Sequence, residues 1–327
     1  MSNFCNEKVT LEDWYAVCKS KEVKSGKSLG LSCGNQPLLI KRFKDGKLVV
    51  YERYCSHMGA DLSLAKEVDN TIQCAFHGLC FDKEGKCKQK CDVTSLYNLK
   101  IFPVVEKYNL IFVYLGEKPR YELPELHFDK GPLFYSPSQK ISAHHHIVIC
   151  NGLDSVHTYP VHSFKISDLR VETTGNKVRA HLTGVYKAWW MMLLNNTYKK
   201  SLTFTFTSYG SAISVADVKW HKTRLVIFFT ARQDENNKCH TNTGLYLDTY
   251  NPIDWIRGAI VVFGILYQDA KLLSQVSREE VKQNFTKLDV GVSAYRDVLD
   301  ATPVYHKFEK DTEFISGVHN FKSVTKR

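Results

Sequence analysis

The chain reads as an α+β protein: a small all-β unit first, then a large antiparallel sheet with a helix packed on it. Three observations support this. Short runs rich in β-branched and aromatic residues, punctuated by turn residues, follow one another up to Gly116. A break follows at Lys118-Pro119-Arg120-Tyr121-Glu122-Leu123-Pro124, where two prolines fall close together. Beyond it come further alternating runs and one stretch of helical period, Asp269 to Phe285. There Leu272, Leu273, Val276 and Val281 recur at about 3.6-residue spacing, with Lys and Glu between. The expected units are residues 1–120 and 121–327.

In chain order, residues 1–8 should fray and Leu11–Val17 should start the fold. Leu38–Phe43 and Leu48–Tyr51 flank Asp45-Gly46 and read as a β-hairpin. Thr71–Gln73 is a short strand, and Leu79–Asp82 with Lys86-Cys87 makes a hairpin-like unit around Glu84-Gly85. Leu99–Glu106 and Leu110–Gly116 read as paired strands. In the second half, Ile141–Cys150 reads as a strand and residues 151–159 have helical spacing. Lys177–Tyr186, Leu202–Thr207, Ala212–Val218, Leu225–Ala231 and Thr243–Tyr250 alternate as strands do.

With 327 residues, 43% hydrophobic and 24% charged, the composition is that of an ordinary globular protein with a sizeable core. Met1–Val9 lacks the apolar stretch of a signal peptide. The longest apolar run, Gly258–Tyr267, is about half the ~20 residues a membrane span needs. A soluble chain in a reducing, cytoplasmic compartment is expected, with no membrane span. The formal charge of +10 draws anionic partners. No aromatic-plus-basic motif accompanies it, which argues against nucleic acid. An acidic electron-donor protein suits the charge, and plain solubility explains it equally well.

The chemistry starts at Cys55-Ser56-His57, followed sixteen residues later by Cys74-Ala75-Phe76-His77. Each short segment carries one cysteine and one histidine. Structural zinc sites usually pair like ligands, Cys with Cys and His with His. One Cys and one His per loop is the arrangement of a Rieske 2Fe–2S cluster, in which two thiolates hold one iron and two imidazoles the other. Gly59 and Gly78 supply the permissive backbone such tight loops need. Cys80, Cys87 and Cys91, just beyond, read as reduced spectators.

A second constellation is Asp154-x-x-His157, then His162. Asp154 and His157 share a face if the segment is helical. His162 lies about 140° further round an ideal helix, so a regular helix would separate the pair. Pro160 offers a bend between them. Two histidines and a carboxylate on one face of an iron leave positions open for dioxygen. On spacing alone, a surface histidine and a capping histidine explain the pair as well. His144-His145-His146 reads as structural, since strand neighbours point to opposite faces. Trp189–Leu194 reads as core, with pocket lining or membrane contact as alternatives.

Together, Cys55, His57, Cys74, His77, Asp154, His157 and His162 resemble the oxygenase (alpha) component of the Rieske non-haem iron oxygenases, of the single-chain monooxygenase type. The resemblance spans nearly the whole chain and includes Leu99–Gly116, which looks like the stretch closing the first domain. It implies an all-β Rieske 2Fe–2S domain followed by a catalytic domain of helix-grip (START-like) fold. It implies a mononuclear Fe(II) held by His157 and His162. It makes Asp154 the acidic bridge carrying electrons from a neighbouring subunit's cluster, and hence implies a head-to-tail homotrimer. The third iron ligand should be a carboxylate at the head of a late helix; Asp269 fits, with Asp254 and Asp289 as rivals and a plain helix N-cap as the alternative role. Ser56, Met58 and Leu79 depart from the Pro, Arg and Trp frequent in the family's loops, which bears on donor docking rather than on the ligands.

The implied activity uses O2 and electrons from NAD(P)H, through a reductase or ferredoxin, to hydroxylate, demethylate or desaturate a hydrophobic, sterol-like substrate. Ring- or alkaloid-hydroxylating activity is the alternative within the class. A Rieske electron carrier without catalysis and a zinc-stabilised binding module are the alternatives outside it.

Overall fold

The computed structural model describes residues 2–88, 97–187, 201–220, 223–276, 285–286 and 288–307. Cys91, Trp189–Leu194, Val281 and the basic tail at Lys322, Lys326 and Arg327 lie outside them.

The N-terminal half holds β1 (Val9–Leu11), β2 (Trp14–Lys19), β3 (Ser28–Cys33), β4 (Gln36–Arg42) and β5 (Leu48–Glu52). It continues with β6 (Lys66–Val68), β7 (Thr71–Gln73), β8 (Cys80–Phe81), β9 (Ile101–Phe102), β10 (Val104–Lys107) and β11 (Leu110–Tyr114). They form sheets ordered β10-β11-β2, β3-β4-β5-β9 and β6-β7-β8. The Asp45-Gly46 turn joins β4 to β5, with Gly46 at φ +88. The single run expected over Leu99–Glu106 is instead two strands. Pro103 cannot donate to a ladder, and the chain changes sheets there: β9 pairs with β5, and β10 pairs with β11. Leu39, Phe43, Tyr51, Leu62, Ile72 and Phe81 form the buried core with which Cys55 and Cys74 pack.

The second half contains β12 (Leu133–Tyr135) and β13 (Gln139–Ile141), then α1 (His145–Cys150) and α2 (Thr158–His162). Next come β14 (Phe164–Thr174), β15 (Lys177–Tyr186), β16 (Ser201–Tyr209), β17 (Ile213–Trp220), β18 (Thr223–Gln233) and β19 (Cys239–Leu247). The chain then forms α3 (Pro252–Leu273), α4 (Val290–Asp300) and β20 (Val304–Lys307). The sheet runs β12-β19-β18-β17-β16-β15-β14, antiparallel at every described pairing, with β13 also on β19. Such hairpin-connected ladders leave one face for a helix to cover. Here α3 lies against it, through Val262 on Leu225, Leu245 and Leu247. No helix among the described residues is long and apolar enough to cross a membrane.

Three local expectations change. Ile141–Cys150 is not a strand: β13 ends at Ile141 and α1 begins after His144, whose ring Nδ1 accepts the His146 N–H at 3.2 Å as an N-cap. The late helix starts at Pro252, not near Asp269. Asn251 caps it by accepting from the Ile253 N–H at 3.0 Å, and proline at its first position fits a site that needs no N–H. Asp269 therefore lies in its last turns and is no N-cap. Residues 151–159 form only a 3₁₀ turn at Asn151–Leu153 before α2.

The halves are tied at buried polar contacts. Asp13, 1% exposed, accepts from the backbone N–H groups of Trp14 (2.7 Å) and Ser211 (2.5 Å) and from the Tyr121 hydroxyl. Its partners thus come from β2, the Pro-flanked linker and the β16–β17 turn. Burial raises its pKa above the usual carboxyl value, against the pull of Tyr121 and Ser211. Arg232 of β18 donates to the carbonyls of Ser32 (2.6 Å) and Val17 (3.2 Å). β1 also pairs with β20, so residues from both ends of the chain share one ladder. Asp13→Ala should lower stability by about 2–3 kcal/mol, because it leaves two backbone donors and a phenol unpaired. A thermal melt within 1 °C of the parent would contradict this junction.

Candidate functional site

The two cluster loops are built alike. The Cys55 N–H donates to the Ala60 carbonyl at 2.8 Å, and the Gly59 N–H returns to the Cys55 carbonyl at 2.8 Å. In the second loop, the Cys74 N–H donates to Leu79 at 2.8 Å and the Gly78 N–H to Cys74 at 3.0 Å. Gly59 and Gly78 share φ +72, the left-handed region that costs a side chain energy. At Gly59 an added Cβ would meet nothing within 4 Å, so glycine serves the dihedral and not the space.

The donor set is sorted by depth. Cys55 and Cys74 are buried, whereas His57 and His77 are exposed, their rings 4.6 Å apart. Burial raises the Cys55 thiol above its ordinary pKa, against the pull of the His57 and Met58 backbone. Two inward thiols and two outward imidazoles fit a 2Fe–2S cluster with one iron held by each pair. Cys80 and Cys87 form no disulfide. Tyr54 bridges to Asp61 across the first loop, and Arg53 forks onto the Asp61 carboxylate, its shortest N–O contact 2.6 Å. Asp61 also caps the turn at Leu62–Leu64.

The second site draws on three elements. Asp154 is extended rather than helical, and its carboxylate accepts the Val156 N–H at 2.9 Å. Its Oδ2 lies 3.4 Å from Nδ1 of His157. His157 caps α2 and His162 ends it. Pro160 does not bend the chain away from helix, as the spacing suggested. It sits in the first turn of α2, where no N–H is required. The two histidines are brought together instead by the shortness of α2, which stops at Ser163 in the left-handed region, φ 56. Their rings stand 5.3 Å apart at 83°.

Asp269 approaches from α3, with Oδ1 2.8 Å from Nε2 of His162. The geometry is not that of a hydrogen bond, and Nε2 remains a buried nitrogen without such a partner. Ligand atoms of His157, His162 and Asp269 all lie within 4.8 Å of one another. The rivals are elsewhere: Asp254 is in the first turn of α3, and Asp289 binds Thr286 ahead of α4. Gln268, which carried no sequence signal, faces Nδ1 of His162 at 3.2 Å through Oε1. At His162, Gln268 thus takes Nδ1 and leaves Nε2 facing Asp269, the tautomer a metal needs, whereas Nδ1 of His157 stands 3.4 Å from Asp154 without hydrogen-bond geometry. Burial works against charge on Asp154, but the neighbouring His157 holds its carboxyl below the usual range. Burial likewise works against charge on His157, and Asp154 outweighs it, leaving the imidazole above its ordinary value.

His144, His145 and His146 behave differently. The Cys5 N–H donates to Nδ1 of His146 at 3.0 Å, as the His146 N–H does to His144. In these two rings Nε2 carries the proton. Cys5 lies near them, but the tautomer is the reverse of that at His162. They lie at the start of α1, where His144 is the N-cap, and not on a strand that would separate them.

Beside His157, His162 and Asp269 opens a cavity of about 480 Å3 between the sheet and α3. That is a size suited to a small organic ligand. Its walls are mainly apolar, including Phe164, Leu182, Phe204, Ile227 and Val262.

Comparison with known proteins agrees with this layout. Residues 13–103 match the Rieske [2Fe-2S] domain family. The cholesterol 7-desaturase of Caenorhabditis elegans is 30% identical over 35% of this chain and 29% of its own length. Cholesterol 7-desaturase nvd 1 of Ciona intestinalis is 28% identical over 54% of this chain and 38% of its own. The chain thus matches well under half the length of these relatives. Over 90% of this chain and 97% of the other, the fold is that of apo dicamba monooxygenase, with a TM-score of 0.70 at 15% identity.

The Arg53 hydrogen bond, acting against burial, holds the Asp61 carboxyl down at about 2. A carboxyl lowered on folding contributes stability above its unfolded pKa of about 4 and loses it as pH falls toward 2. Asp61→Asn should therefore cost about 1 kcal/mol at neutral pH, discounted for the pair's partial exposure. It should also flatten the loss of stability between about pH 4 and 2. Urea denaturation at stepped pH reads both; an unchanged acid limb would refute the pairing.

Proposed function

We propose that this chain, which has the domain order and fold of a Rieske non-haem iron oxygenase, uses dioxygen and electrons from an NAD(P)H-fed reductase, directly or through a ferredoxin, to oxidise a hydrophobic, sterol-like substrate. The observation that carries the proposal is the meeting of His157, His162 and Asp269 at the wall of a closed-in apolar cavity. Residues 1–120 would hold the cluster through Cys55, His57, Cys74 and His77, and residues 121–327 the mononuclear iron through His157, His162 and Asp269. When bound, the cluster supplies single electrons and the ferrous ion activates dioxygen.

The chain's own side chains set the conditions. Gln268 takes Nδ1 of His162 and so fixes that ring with Nε2 toward Asp269, while Asp154 lies 3.4 Å from Nδ1 of His157. Asp269 completes the set with an anionic oxygen. The apolar walls keep water from the site and position the substrate. Asp154 is one-third exposed, so an acceptor oxygen remains open to an imidazole N–H from outside. Val156 and Tyr159 are exposed beside it, and Met58 and Phe76 are exposed beside His57 and His77. Two apolar collars around complementary polar centres support a head-to-tail homotrimer, in which one subunit's cluster histidine meets the next subunit's Asp154. Cys18, Cys33, Cys80, Cys87 and Cys150, which form no disulfide, support a reducing, cytoplasmic setting. The basic surface suits an acidic electron donor.

The two cholesterol 7-desaturases, similar to this chain over part of its length, support a sterol-like substrate, as does a cavity with no lysine or arginine among its described lining residues. The test is turnover of a panel of sterols, aromatics and alkaloids with NADPH, a reductase and oxygen, followed by mass spectrometry. The expected result is a donor- and oxygen-dependent product from a sterol, with about three irons per chain. An iron content that stops at about two, with no product from any compound, would reduce the chain to an electron carrier.

Two substitutions probe the site itself. Gln268→Leu should weaken mononuclear iron binding by about 10- to 100-fold while the cluster absorbance stays. Asp154→Asn should keep the metals and lose product formation. Unchanged iron affinity in the first, or full activity in the second, would remove those assignments.

A further inference from the structure

The cavity's two ends differ in chemistry. One end holds His157, His162 and Asp269, near Phe164 of β14 and Tyr186 of β15. The other reaches Thr241 and Thr243 of β19. Five strand-to-strand steps separate β14 from β19. Period-two alternation aims one side chain in two at the cavity from each strand. Leu182 of β15, Phe204 and Phe206 of β16, Ala216 of β17 and Ile227 of β18 make an unbroken apolar middle, roofed by Val262 and Leu266 of α3.

Past Ile227 the lining changes to Ser214, Thr230, Thr241 and Thr243, joined by Ser136 and Gln139. Register explains the grouping. Phe229 pairs with Ser214 on one side and with Thr243 on the other, and Thr230 pairs with Asn242. Ser214, Thr230 and Thr241 are 2%, 1% and 7% exposed. Thr230 is held by the Asn242 amide, which donates to its Oγ1 at 3.3 Å, and the Thr241 hydroxyl donates to the Gln139 carbonyl at 3.5 Å. Hydroxyl groups donate and accept, so they suit a neutral oxygen. A carboxylate or sulfate would be buried there with no lysine or arginine among the described lining residues.

We propose that the substrate is an elongated, largely apolar alcohol or ketone. Its oxygen lies among Ser214, Thr241 and Thr243, and its reacting carbon beside His157, His162 and Asp269. A rigid polycycle anchored at the hydroxyl end presents the same carbon at the other end each time, so the sheet's width sets the position of oxidation. Only the choice of the reacting end rests on the oxygenase reading; the polar anchor stands on the lining alone.

The test measures binding separately from turnover. The holoenzyme is titrated by equilibrium dialysis, with cyclodextrin as carrier, against cholesterol, cholest-5-ene (which lacks the hydroxyl) and cholesterol sulfate. Cholesterol should bind about five- to tenfold more tightly than cholest-5-ene, the worth of one buried hydrogen bond. Cholesterol sulfate should bind weakest of the three. The double substitution Thr241→Val with Thr243→Val should bring cholesterol down to the affinity of cholest-5-ene and leave cholest-5-ene unchanged, which also shows that the variant is folded. Equal affinities in the parent, tightest binding of the sulfate, binding of none, or a cholesterol advantage that survives the double substitution would each overturn the proposal. Should the variant not fold, the parent's ranking decides. A correct ranking without product would retire the oxygenase reading and keep the anchor; product without the ranking would do the reverse.

Discussion

The 2.8 Å contact between Nε2 of His162 and Oδ1 of Asp269 is the point on which the second half of the molecule turns. It joins a five-residue helix at the edge of the sheet to the end of the 22-residue helix that covers the sheet. With it, α3 roofs a cavity and delivers a carboxylate to two imidazoles. Without it, α3 would cover the sheet as any amphipathic helix does, and the histidines would be two polar residues on a short turn. Its partial burial gives it force, since a nitrogen lone pair and a carboxylate oxygen facing each other out of water need a cation or a proton between them.

Two groups of histidines in this chain show how much the partner decides. At His162 the Nδ1 atom faces the Gln268 oxygen, so Nε2 keeps its lone pair toward Asp269. At His144 and His146 the Nδ1 atoms accept backbone N–H groups, so the outer nitrogens are donors. Burial holds the His146 imidazole well below its ordinary pKa, and it stays neutral. One residue type in two hydrogen-bond settings presents a lone pair in one place and an N–H in the other.

The cluster loops follow the same economy of means in the other half. Each is closed by a pair of backbone hydrogen bonds around its cysteine and released by a glycine at φ +72. The core beneath takes the thiols, and solvent faces the imidazoles. That ordering places the ligands that shift potential, and that a partner can touch, on the outside.

The local chemistry was legible in the chain itself. Cys-x-His and Cys-x-x-His, Asp-x-x-His with a following histidine, the Asp45-Gly46 hairpin and the alternating strands all operate over a few residues, where spacing and backbone preference decide the outcome. Elements set by distant contacts were not legible. The start of α3 depended on an Asn251-Pro252 cap ahead of an apolar run whose inner face is matched only by the sheet. The break at Pro103 depended on which neighbour each half-strand found. Gln268 and the hydroxyl-lined end of the cavity had no sequence signal, because a neutral polar side chain acquires a role only from what it faces. The sequence alone therefore determined which donor atoms the protein carries, by short-range spacing. The tertiary structure decided which of them meet, because that depends on long-range packing between a sheet and a helix far apart in the chain.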